Sequence, residues 1–318
     1  MQRSHAAYTR LVDAAKSSGE PLRTAVAHPC SAGALQAVAE ASGAGLIDPI
    51  LVGPSARIEA AARKAGLRLD GFTIMPAPHS HAAAAEAVRL AARGDAALLM
   101  KGSLHTDELM HAVLDRGTGL RTERRISHCY LMDVEVYPAP LIITDAAINI
   151  APSLLEKADI VRNAIHLAHV LGIAEPRVAI LSAVEMINPA LQSTIDAAAL
   201  CKMADRGQIT GGLLDGPLAF DNAVNAEAAR DKGIISPVAG RAQILVVPNI
   251  EAGNMLAKQL TFLGGADAAG IVLGARVPIV LTSRADAVRT RLASCAVGVL
   301  LARAFTVKTP DSPTGAIA

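Results

Sequence analysis

The chain has 318 residues, 30 lysines and arginines against 29 aspartates and glutamates, and a hydrophobic fraction of 52%. That length can bury one large core or two domain-sized ones without disulfide staples, and the balanced charge leaves no electrostatic footprint for nucleic acid or an anionic membrane surface. With no tryptophan, three tyrosines and four phenylalanines, there is little to stack on bases.

The first twenty residues lack the continuous apolar stretch of a signal peptide. From there, short β-branched runs alternate with longer amphipathic stretches, which predicts an α/β fold with a largely parallel sheet. Strands are predicted at 24–28, 49–53, 72–76 and 96–100, within ISHCYLMDVEVY (126–137), and at 141–145, 178–183, 212–216, 244–248, 269–274 and 278–282. Arg121-Thr-Glu-Arg-Arg125 is the densest charge cluster, and a domain boundary is placed just beyond it, near residue 132. Late in the chain, LASCAVGVLLA is too short to span a bilayer. Cys30, Cys129, Cys201 and Cys295 stand far apart with no CxxC spacing, so reduced thiols in a soluble cytoplasmic protein are expected.

Ligands of open α/β sheets gather beyond the carboxyl ends of strands, so the joins that follow the runs carry the functional search. In VPIVLTSRADAVRTRL (277–292) a strand is expected to turn directly into a helix. Ser283 and Asp286 have capping-box spacing there, but Arg284 sits where a helix N-terminus is already positive, which points to a bound phosphate or carboxylate. Lys101, Gly102 and Ser103 of KGSLHT could cradle an anion ahead of Thr106 as N-cap, without Walker spacing. Gly43-x-Gly45 lacks the third glycine of a dinucleotide fingerprint. His79/His81 and His166/His169 lack carboxylate or cysteine partners nearby, so no metal is assigned. Asp145 and Asn149 of TDAAIN suit either capping or ligand binding. Gly253 and Asn254 sit where the backbone must pass close to something.

Taken together, KGSLHTDELMHAVL, RISHCYLMD, LIITDAAINIAPSLLEKADIVRNA, DGPLAFDNAV, VVPNIEAGNMLAKQL and VLTSRAD resemble, in order, the phosphate acetyl/butyryltransferases. The resemblance covers about residues 95–302. It implies acyl transfer between coenzyme A and inorganic phosphate with no resident cofactor, in a homodimer. It also implies two α/β domains with a cleft between them, similar to the isocitrate and isopropylmalate dehydrogenases. The first domain would take 1–131 and 277–318, the second 132–276.

By that resemblance Arg284 holds phosphate, and Ser283 hydrogen-bonds the thiol or the reacting carbonyl. Arg125, Ser127 and His128 are assigned to phosphate, with Lys101 and Ser103 as helpers. Asp145, Asn149 and Asn254 are assigned to coenzyme A or substrate. Many acetyltransferases of the family carry an aspartate seven residues after the serine. Thr290 stands there in this chain, which leaves as alternatives Asp286 or Asp145 as the base, or a thiol activated by Arg284 and the helix N-terminus without a dedicated base; the acyl length is open to butyryl, with acetyl the preferred reading. Two other readings are a catalytically silent binder of acyl-CoA or acyl phosphate, and a metal- and nicotinamide-dependent hydroxy-acid dehydrogenase of similar fold.

Overall fold

The computed structural model describes residues 6–282 and 286–307. Its strands are β1 (Leu22–Ala27), β2 (Ile47–Gly53), β3 (Thr73–Pro76), β4 (Leu98–Lys101), β5 (Ser127–Asp133), β6 (Leu141–Thr144), β7 (Arg177–Leu181), β8 (Leu213–Leu218), β9 (Ile244–Val246), β10 (Asp267–Leu273) and β11 (Ile279–Val280). The helices are α1 (Ala6–Ser17), α2 (Ala32–Gly43), α3 (Ser55–Ala65), α4 (Ser80–Arg93), α5 (Thr106–Leu114), α6 (Leu154–Val170), α7 (Gln192–Asp205), α8 (Phe220–Val224), α9 (Ala226–Asp231), α10 (Ile250–Phe262) and α11 (Val288–Val307). Every strand expected from the sequence is present. Among the described residues no helix is long and apolar enough to cross a membrane.

The strands form one sheet in the order β3-β2-β1-β4-β11-β10-β5-β6-β9-β7-β8. Neighbours pair in parallel within β3-β2-β1-β4-β11 and within β6-β9-β7-β8. Between these blocks, β10 runs antiparallel to β11 and β5, and β5 runs antiparallel to β6. Three reversals separate the blocks, so their carboxyl ends lie on opposite edges of the sheet. Residues 131 and 132 fall inside β5, whose seven-residue register with β10 carries the sheet continuously between the blocks.

Both faces of the sheet are covered, which explains why the strands read as unbroken apolar runs. Val26 packs on the face covered by α1, α2, α3, α6, α7 and α11, while Ala25 and Ala27 pack on the face covered by α4 and α5. Helices α8, α9 and α10 close that second face over the other block. Gly298 lets α11 lie tight on the sheet, because a Cβ there would come within 2.9 Å of Leu98 Cδ1. Between α6 and α7, Lys157 Nζ donates to Asp196 Oδ2 at 2.6 Å in a buried ion pair, and Gln192 satisfies the other carboxylate oxygen at 2.9 Å. Such a pair fixes one helix register, since either charge alone would be stranded.

Candidate active site

Three joins of the first block converge at its carboxyl edge: 28–33 after β1, 101–106 after β4, and the segment after β11. The 101–106 join is strapped over the end of β1. Gly102 N donates to Ala27 O and Ser103 N to His28 O, both at 2.9 Å, so the chain crosses where only a glycine fits. Ser31 caps α2 by accepting from Ala34 N at 3.3 Å, and its hydroxyl also receives Ser103 Oγ at 3.0 Å. The Lys101 ammonium is buried and donates to the Leu104 carbonyl at 3.3 Å.

These joins enclose two small clefts that share Lys101 and Thr282 as a common wall. The larger, about 400 Å³, is lined by Ser31, Gly33, Ser103 and Arg291, with the N-terminal turn of α2 facing it. Arg291 donates to the Gly33 carbonyl, which holds its guanidinium beside that turn. A buried ammonium, a guanidinium, two hydroxyls and a helix N-terminus form an anion site of ordinary chemistry. The smaller cleft, about 290 Å³, is lined by Leu104, His105, Thr106, Tyr130, Ala147 and Leu281. Ala147 belongs to the loop after β6, so both blocks contribute to this cleft.

Ser283 and Arg284 follow Thr282 directly but lie outside the described residues. Asp286 is half-buried and acts electrostatically on Tyr130. The expected capping box is corrected: α11 begins at Val288, so Asp286 precedes the helix and cannot occupy its third position. Thr106 likewise is the first residue of α5 and His105 its N-cap, which makes no side-chain cap hydrogen bond.

Asp145 accepts from the backbone of Ala147 (2.9 Å), Ile148 (3.0 Å) and Asn149 (3.3 Å), and from Asn149 Nδ2 at 2.5 Å. Both carboxylate oxygens are thus spent on folding their own loop. Asn149 continues the network: its amide donates to Ile126 O at 2.9 Å and its oxygen accepts from Arg125 Nε at 2.6 Å. Asn254 ties α10 to the same loop through Ala146 O at 3.2 Å. A Cβ on Gly253 would come within 2.7 Å of the Asp145 carbonyl, which is the close approach that the glycine implied.

Arg125, Ser127 and His128 are not brought to the two clefts. Arg125 pairs with Glu156 at 2.9 Å in a third cleft, reached past Leu114 at the far end of α5. The third cleft shares no lining residue with the other two, although its Ile148 and Asn149 follow directly on Ala147 of the smaller cleft. Ser127 is fully buried and receives Asn163 Nδ2 at 2.8 Å. His128 is also fully buried, its ring edge-on to Tyr130 with centroids 4.4 Å apart. The Leu281 carbonyl lies near the imidazole, but neither ring nitrogen has a hydrogen bond of normal geometry.

Burial holds the His128 imidazole down at about 4, against the opposing pull of the Asp145 carboxylate and the Leu281 carbonyl. Because this lies below the unfolded value of about 6.5, the unfolded chain takes up a proton that the folded chain refuses. The contribution is fully present above pH 6.5 and is lost as pH falls toward 4, about 3 kcal/mol over the whole window. His28 is depressed too, first by burial and then by Arg57, and acts in the same direction. The melting temperature should therefore fall between pH 6.5 and 4.5, and His128→Phe should flatten that fall; parallel curves for the two proteins would refute it.

Sequence reasoning missed His28, Ser31, Tyr130 and Arg291. His28 is a non-glycine residue at φ 52°, set where β1 turns into the join. Ser31 was discoverable, since a serine just before a helix at a strand end is a cap. Of the histidines set aside as metal ligands, His169 Nε2 lies 2.7 Å from Gly211 O and His166 stacks on Phe305. All four cysteines are free thiols, and burial pushes Cys129, Cys201 and Cys295 up to about 12.

An open α/β sheet with a reversed central pair and clefts at one block's carboxyl edge defines the class. A putative 4-hydroxythreonine-4-phosphate dehydrogenase from Salmonella typhimurium has this fold, with a TM-score of 0.56 at 15% identity, covering 88% of this chain and 99% of that one. A branched-chain phosphotransacylase from Enterococcus faecalis V583 matches with a TM-score of 0.78 at 30% identity, over 88% of this chain and 99% of the other. The family model described as "Phosphate acetyl/butaryl transferase" matches residues 79–299, and the chain belongs to that family of acyltransferases. A phosphate acetyltransferase of Rhizobium meliloti is 64% identical over 93% of each chain. A phosphate butyryltransferase of Clostridium acetobutylicum is 44% identical over 90% of this chain and 95% of its own.

Proposed function

We propose that this acyltransferase moves an acetyl or other short acyl group reversibly between coenzyme A and inorganic phosphate. The observation that carries the reading is the pair of clefts sharing Lys101 and Thr282, one built for an anion and one with an apolar side of Leu104, Tyr130, Ala147 and Leu281, on the join that precedes Ser283 and Arg284 in sequence. Phosphate sits in the larger cleft within reach of Lys101 and Ser103, and Arg284 is assigned to hold it. Ser283 positions the sulfur or the carbonyl. Fixed donors at the point where an oxyanion develops lower the barrier more than they help ground-state binding. Asp145, Asn149 and Asn254 support the substrate cleft through their loop, and Arg125 braces that loop. Asp286 is the remaining candidate base, since the Asp145 oxygens are already engaged. Coenzyme A and phosphate are substrates, and the reaction requires neither metal nor nicotinamide cofactor.

The domains divide at 131/132, within β5, and at 276/277, with the β5–β10 pairing joining the two blocks. The protein is a cytoplasmic homodimer. Its four unpaired cysteines support a reducing compartment. Met255, Phe262 and Leu263 on and after α10, each more than half exposed, support a dimer contact there.

The test follows thiol release from acetyl-, propionyl- and butyryl-CoA in phosphate, with and without arsenate. Phosphate-dependent release without added metal is expected; no release with any chain would overturn the reading. Arg284→Gln removes a bidentate charged contact. It should cost about 1.5–3 kcal/mol, or roughly one to two powers of ten in kcat/KM for phosphate. Unchanged phosphate kinetics would take the anion away from Arg284.

A further inference from the structure

We infer that the smaller cleft receives the acyl chain and that Tyr130 sets the length of chain it accepts. This rests on the acyl-transfer reading and adds a substrate preference to it. Leu104, Tyr130, Ala147 and Leu281 give the cleft an apolar side; of its polar residues Lys101 and Thr282 adjoin the anion cleft, and His105 and Thr106 stand at the start of α5. A carbonyl held at the Lys101 and Thr282 wall has its charged partners on the anion-cleft side. Its hydrocarbon tail is left with the Leu281 and Tyr130 side.

Tyr130 is a rigid wall. Its backbone is paired on both sides, with Gly270 of β10 and Ile143 of β6. The ring is pinned edge-on by His128 at 4.4 Å, and the absence of a Cβ on Gly270 makes room for both rings. Its hydroxyl makes no hydrogen bond with the described residues. Burial, with Asp286 adding to it, pushes the phenol up to about 12, so the group stays a neutral donor at physiological pH. A chain long enough to lie over that hydroxyl would strip it of water and offer nothing in return, which penalises butyryl more than acetyl. Ala147 also lines the cleft, a small side chain on a loop whose course Asp145 fixes.

The experiment compares kcat/KM for acetyl-CoA and butyryl-CoA in the unaltered protein and three variants. Tyr130→Phe, which keeps the ring, should raise the butyryl-to-acetyl ratio by about three- to tenfold, and Tyr130→Ala by more than about tenfold. Ala147→Val, which narrows the cleft, should lower the ratio. Melting curves confirm that each variant is folded, and the conservative Tyr130→Phe keeps the test decisive if the alanine variant is not. Normal turnover with all three ratios within a factor of about two of the parent overturns this assignment alone. Failure of the unaltered protein to release thiol from any acyl-CoA overturns the reaction as well.

Discussion

Gly102→Val should lower the rate of phosphate-dependent thiol release by at least about a hundredfold, because misplacing a catalytic join by roughly 1 Å is enough for such a loss. The glycine stands where the 101–106 join crosses the end of β1. A Cβ there would overlap the Ala27 carbonyl and come within 2.6 Å of the His28 oxygen, both backbone atoms that cannot swing aside. The join must lift, breaking the Gly102–Ala27 and Ser103–His28 hydrogen bonds and parting Ser103 from Ser31. Lys101 and the N-terminal turn of α2 then no longer face one anion. Overpacking at such a point costs about 1–3 kcal/mol of stability, so the protein should still fold and the loss should fall on activity. Steady-state kinetics and a melting curve check it, and a variant with normal KM for phosphate would remove the strapped join from the anion site.

Asp145→Ala should destabilise the protein by about 3–5 kcal/mol, since one side chain answers four N–H donors and its loss leaves most of them unpaired within the fold. Asn149 would lose a partner while still bound to Arg125, and Ala147 would no longer be held in the smaller cleft. Asp145→Asn should cost less, because its carbonyl oxygen can still accept from Ala147 and Ile148. Chemical denaturation of the two variants, read beside turnover, checks the ranking. If Asp145→Asn kept full stability yet lost activity that returned as pH rose, Asp145 would be a base and not the organiser of its loop.

The strands were legible because both faces of the sheet are covered, so each reads as a short apolar run ending in a glycine or polar join. The direction of the two blocks was not legible. It depends on the pairing of β5 with β10, residues more than a hundred positions apart whose local sequences say nothing of each other. The start of α11 was placed too early because Ser283 and Asp286 have capping-box spacing, whereas the helix begins at Val288 and leaves Asp286 ahead of it. Gly253 was read correctly, since a glycine beside a helix start implies a close neighbour. Arg125, Ser127 and His128 were grouped by motif, yet alternation along β5 turns Ser127 and His128 into opposite buried layers. Tyr130 was invisible for the same reason that it matters. Its role comes from Gly270 and Ala147, each supplied by a distant part of the chain.

The insertion of β11 between β4 and β10 has a consequence during synthesis. Strand β4 is complete once Lys101 has left the ribosome, but the partner that covers its open edge is made roughly 180 residues later, or about 10–35 s at ordinary elongation rates. Throughout that interval the nascent chain presents Leu98, Leu99 and Met100 on an unpaired edge, a template on which another chain can pair. The anion cleft is formed later still, since Thr282 and Arg291 arrive with the returning segment. A ribosome stalled between residues 140 and 270 therefore carries a chain with most of its first-block strands, no functional centre, and an edge whose own partner has not been made.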